Sequence, residues 1–160
     1  MKFSARNGTA LEGVLTYSES EYGFSFTAQS PEGLAERLGS DGVTSALIET
    51  LQLEIDIESR EFLFAWGYFP GIRSNVEDLD VPKFLPGRVS LSAECRFEPG
   101  VSFDISEEVW RTGYDPSSGW VAVRLRDPAD AVFVQIADGI VLGVSDGDLV
   151  SVWLRPAFSE

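Results

Sequence analysis

Histidine is absent from the sequence and cysteine occurs once, at Cys95. Histidine is the one side chain that titrates unperturbed near neutral pH, so a His-dependent base, proton shuttle or triad is excluded. A zinc site of the usual Cys/His kind goes with it. Lysine occurs only at positions 2 and 83, and no basic run exists. Neutralising a phosphate backbone rests on such residues, so nucleic acid is excluded as a partner. An anionic membrane surface would repel the chain for the same reason. No apolar run reaches the length of a membrane span, and the first twelve residues lack a signal-type apolar core. Gly-x-x-x-x-Gly-Lys and Asp-x-Asp-x-Asp-Gly are also missing. No metal and no cofactor is expected.

What is present is acid and ring. Twenty-six acidic residues against twelve basic ones give a net charge of −14, and 44% of the 160 residues are hydrophobic. Nineteen Phe, Tyr and Trp residues distinguish the chain from a disordered acidic one. The length suits one domain, 1–160, with a self-sufficient core. Cys95 has no intramolecular partner and shares the alternate register of Val89, Leu91, Ala93 and Phe97. That register reads as a small buried core residue rather than a reactive thiol, in a reducing compartment. Ten arginines against two lysines fit the codon bias of a GC-rich bacterial genome, and a cytoplasmic location is expected.

Period-two alternation dominates the pattern. Leu51–Ile57 and Val89–Phe97 alternate as half-buried strands, Phe62–Trp66 is apolar on both registers, and Val101–Ile105 follows a Pro-Gly turn. Trp120–Arg126 places Val121, Val123 and Leu125 on one face and Arg124 and Arg126 on the other. Asp138-Gly139 and Asp146-Gly147 separate the runs 132–137, 140–144 and 149–154, a strong hairpin signal. Residues 10–17 and 22–28 add strands; over 41–50 Val43, Leu47 and Leu51 fit a helix, while 47–57 fits one long strand, the reading preferred for the second half. One helix is expected over 31–38, capped by Ser30, opened by Pro31, with Leu34 and Leu38 on one side and Gly39 at its end. A further short turn is expected at Ser106–Glu108. The segment 75–86, with Pro82 and Pro86, belongs on the surface. The fold class is mainly β: an antiparallel sheet of eight to ten strands rolled into a sandwich or barrel-like form, one short helix packed on it, with α+β as the alternative.

Glu77, Asp78 and Asp80 offer oxygen ligands, but their setting reads as a solvated acidic loop. Glu107 and Glu108 are adjacent and do not face each other, so no catalytic pair is assigned. The aromatic clusters carry more. Trp66-Gly-Tyr-Phe-Pro70 ends a strand, and Tyr114-Asp-Pro-Ser-Ser-Gly-Trp120 is a loop with a ring at each end. Trp66, Tyr68, Phe69, Tyr114, Asp115 and Trp120 are therefore the candidate partner-binding residues, against core packing as the alternative.

These two segments and Val152-Trp-Leu-Arg-Pro156 resemble landmarks of small uncharacterised bacterial β-rich proteins, a similarity that spans about residues 47–156 and implies no activity. In type, the chain is similar to immunity proteins, which block a toxin partner by occluding it. The favoured function is a non-enzymatic, acidic protein-binding module of immunity or inhibitor type, with a basic protein as partner. The alternatives are a small-ligand-binding β domain and a carboxylate-based hydrolase.

Overall fold

The computed structural model describes residues 1–94 and 96–160, so the reading of Cys95 lies outside the described residues. In chain order the strands are β1 (Phe3–Asn7), β2 (Gly13–Ser18), β3 (Gly23–Ala28), β4 (Val43–Ile48), β5 (Leu51–Asp56), β6 (Phe62–Tyr68) and β7 (Leu85–Leu91). There follow β8 (Phe103–Asp104), β9 (Arg111–Tyr114), β10 (Val121–Arg124), β11 (Val132–Ala137), β12 (Ile140–Ser145), β13 (Asp148–Leu154) and β14 (Ala157–Ser159). Helix α1 is Pro31–Ala35, and a single 3-10 turn covers Ile72–Ser74. Half of the chain is strand and 5% helical, which places it in the mainly β class.

Two sheets pack face to face as a sandwich rather than a closed barrel. Sheet one runs β1-β7-β11-β12-β13-β10-β9, and sheet two runs β14-β2-β3-β6-β5-β4-β8. Most neighbours are antiparallel, but β7–β11, β2–β14 and β4–β8 are parallel, so the sheets are mixed and not purely antiparallel. The strand total exceeds the expected ten because short edge strands, such as β8 and β14, carry no alternation long enough to read. Leu51, Leu53 and Ile55 of β5 and Val121 and Val123 of β10 fill the space between the sheets, as their alternation requires. Phe3 stacks on Phe62 at 5.8 Å between ring centres, tying β1 to β6.

Local chemistry explains most boundaries. Asp146 and Gly147 both adopt left-handed backbone (φ 50° and 77°), the conformation a tight two-residue hairpin needs between β12 and β13. Ser30 caps α1 by accepting the Gly33 amide at 3.0 Å. The helix stops at Ala35 and continues only as turns to Leu38. Leu34 packs on the core, whereas Leu38 is exposed, so the two do not share a buried face. The expected strand 47–57 is broken by a turn at Glu49 and Thr50, with Glu49 at φ 55°. Strand β7 ends at Leu91 and Ala93 is exposed, so the alternation over 89–97 does not describe one strand. Ser106 accepts the Glu108 amide at 3.0 Å in a bend without a helix.

The outer faces of the two sheets differ. Trp120, Ala122, Val141 and Trp153 form a second buried cluster, covered by Leu79 and Phe84. The segment 75–86 therefore lies on the surface as expected, but as a strap over sheet one. All described strand positions of β10 and β12 are buried as a result. Among the described residues nothing covers the outer face of sheet two in this way along β2, β3 and β6: Val14, Ser25, Thr27, Trp66 and Tyr68 are exposed there.

Candidate binding surface

The six candidate residues divide between these two faces. Phe69, Tyr114, Asp115 and Trp120 are buried, which corrects their assignment as partner-contacting side chains. Trp66 and Tyr68 remain in solvent, at 36% and 55% exposure. The physical reason lies in what the Tyr114–Trp120 loop does: it clamps the strap. The Tyr114 amide donates to the Asn75 carbonyl at 2.8 Å, and the Glu77 amide donates to the Tyr114 carbonyl at 3.0 Å. Asp115 Oδ2 accepts the Leu79 amide at 3.1 Å, while Oδ1 accepts the Ser117 amide at 2.9 Å and hydroxyl at 2.7 Å. Those bonds, the Ser117 hydroxyl first and the Leu79 amide next, hold the Asp115 carboxyl below the usual carboxylate range. A general acid needs the opposite shift.

The strap is fastened a second time by an ion pair. Glu77 pairs with Arg124, whose side chain is buried. Gly113 makes room for this pair, since a Cβ there would overlap the Glu77 carboxylate. Glu77 is thus committed to a cation, and no three described Asp or Glu residues are placed to hold a metal ion. Beneath the strap, Trp153 donates from Nε1 to Ser151 Oγ at 3.2 Å, and Trp120 meets Phe84 edge-on at 5.9 Å.

The open face is built on β6 and its neighbours. Trp66 lies across from Gln52, and its Nε1 donates to Glu54 Oε1 at 3.2 Å. The same oxygen accepts from Ser45 Oγ at 2.8 Å, so the ring is held by a polar row on β4 and β5. Tyr68 pairs with Gly23 at the end of β6, and exposed Tyr22 follows in the adjoining turn, its carbonyl accepting the Phe69 amide at 2.7 Å. Phe69 then turns inward to meet Phe24. Beside Tyr22 a shallow cleft of about 300 Å³ is lined by Tyr17, Glu19, Ile72 and Arg73. Arg73 pairs with Glu19 and lies over the rings of Tyr114 and Phe158, at 5.3 and 4.9 Å.

Charge separates the faces as well. The strands of sheet two contain no Lys or Arg, and their charged residues are Glu54, Asp56 and Asp104. Those of sheet one contain Arg6, Arg88, Arg111 and Arg124 against Asp148 alone. Sequence reasoning missed Tyr22, which nothing but its place in a turn between two strands could signal. Among the described residues no helix is long and apolar enough to cross a membrane. No protein-family model matches the chain, and no curated protein matches it.

Proposed function

We propose that the chain is a non-enzymatic binding module that docks a basic protein on the open face of its second sheet, in the manner of an immunity or inhibitor protein. The carrying observation is the solvent-facing Trp66, beside Tyr68 and Tyr22, on a sheet whose strands hold acids and no base. Large rings at the centre of a patch supply most binding energy, and a charged rim supplies steering. Exposed Glu21 and Glu49, in the turns flanking these rings, provide acidic rim positions. A net charge of −14 draws in a cationic surface and repels acidic competitors. The cytoplasm is the compartment in which this reading places the encounter.

The test is capture from a lysate of the native host on the immobilised chain, at low and high salt. Tyr114 and Trp120 are unsuitable probes because they are buried; the double variant Trp66→Ala/Tyr68→Ala is the informative one. A basic protein retained at low salt, released by salt and bound at least about tenfold more weakly by the double variant is expected. Recovery of no cationic protein, or of one indifferent to both salt and substitution, overturns the proposal.

A further inference from the structure

Three arginines gather where the other sheet meets the turns that follow α1. Arg6 of β1 and Arg88 of β7 are direct cross-strand partners, and like charges so placed repel. Glu61, buried at the start of β6, accepts from both: Arg88 Nη1 at 3.1 Å on one oxygen and Arg6 on the other. One carboxylate thus serves two guanidiniums. Arg37 brings a third, donating from Nη2 to the Thr9 carbonyl at 2.8 Å and hydroxyl at 3.2 Å. Arg88 Nε reaches the same carbonyl at 3.3 Å.

Arg73, Arg111, Arg124 and Arg126 each pair with a carboxylate, whereas among the described residues Arg37, like Arg60, Arg96 and Arg155, pairs with none. Its Nε and Nη1 have no acceptor among them either. Burial first, and the nearby Arg88 second, push the Arg37 guanidinium below its ordinary pKa, so its cationic form is under-compensated. Arg37 and Arg88 line a cleft of about 370 Å³ with Thr9, Gln29 and Ser30. That volume lies within the range of small-ligand sites, about 300–1,000 Å³. Glu12 and Glu36, both exposed, complete the lining. A dianion entering beside the arginines would be repelled by these two carboxylates. A molecule with a carboxylate at one end and an ammonium at the other matches both signs of charge in this lining.

We infer that this cleft binds a small amino-acid-like zwitterion, its carboxylate on Arg37 and Arg88 and its ammonium toward Glu12 and Glu36. The site is separate from the open face of sheet two and does not depend on the protein-docking proposal.

The experiment is an amide NMR titration at fixed ionic strength with L-glutamine, acetate and inorganic phosphate as separate probes. L-glutamine is expected to move the Thr9, Gly33 and Arg37 amides saturably, with acetate and phosphate at least about tenfold weaker. Arg37→Gln should weaken L-glutamine binding about tenfold or more, with the spectrum itself reporting an intact fold. Glu36→Gln, at an exposed position, should weaken L-glutamine to a similar degree and leave acetate unchanged or tighter. Absence of any saturable shift, acetate or phosphate binding as tightly as L-glutamine, or indifference to both substitutions overturns the inference.

Discussion

Trp120 and Trp66 stand on the outer faces of two packed sheets, and the sequence around each is rich in rings and turn residues. One is covered and the other is not. Over sheet one, Leu79 and Phe84 close on Trp120 and Trp153, and the backbone of the strap is held by the Tyr114–Asp115 corner. Over sheet two, Trp66 donates one hydrogen bond to Glu54 and keeps about a third of its surface, 36%, in solvent. Aromatic residues of the same kind thus serve the interior in one place and the surface in the other. The difference comes from the segment 75–86, far from the Tyr114–Trp120 loop in the chain, rather than from the motifs themselves.

The largest effect expected from this contrast is on stability. Trp153→Ala or Trp120→Ala removes a buried ring from beneath the strap and should cost about 3–5 kcal/mol in urea unfolding. A loss below about 1 kcal/mol would mean that the strap does not seal that face. Next comes Gly113→Ala, which forces a methyl group into the space of the Glu77–Arg124 pair. Overpacking of this kind costs about 1–3 kcal/mol. The companion variant Glu77→Ala, which vacates that space, should remove most of the additional penalty in a double-mutant cycle.

A smaller effect is tied to pH. Asp115 has a folded pKa below its ordinary value of 3.8, so folding favours its ionised form. Its contribution is present above pH 3.8 and is lost as pH falls through the lower folded value. Asp115→Asn should therefore be less stable than the parent by a constant amount near neutral pH. That gap should narrow in acid, as measured by denaturant midpoints across the range. A gap that stays constant down to the lowest pH would show that the Ser117 and Leu79 bonds do not favour the carboxylate.

How much of this was legible in the sequence follows the same division. Strands β5, β10, β11, β12 and β13 were readable because alternation and Asp-Gly turns are local signals. The mainly β class followed from them, with sandwich and barrel-like forms both open. The parallel edge pairs were not readable, since β8 and β14 are three residues or shorter and find their partners far away in sequence. The strap left one trace: runs 140–144 and 149–154 are apolar on both registers, which a singly covered sheet would not tolerate. The burial of Arg124 was not readable, because alternation identifies the second face of a strand without saying whether solvent or chain lies over it. For the same reason the candidate list mixed two kinds of residue. Trp66 and Tyr68 differ from Tyr114 and Trp120 in what covers them, not in their own chemistry.

The central claim is that the covered face holds the fold together while the rings of the open face are free for a partner. Chemical unfolding of the Trp66→Ala/Tyr68→Ala double variant, beside Trp120→Ala, tests it most directly. The account predicts a loss below about 1 kcal/mol for the double variant, as expected of surface positions, against about 3–5 kcal/mol for Trp120→Ala. A double variant as destabilised as Trp120→Ala would contradict it, because the open-face rings would then belong to the structural core.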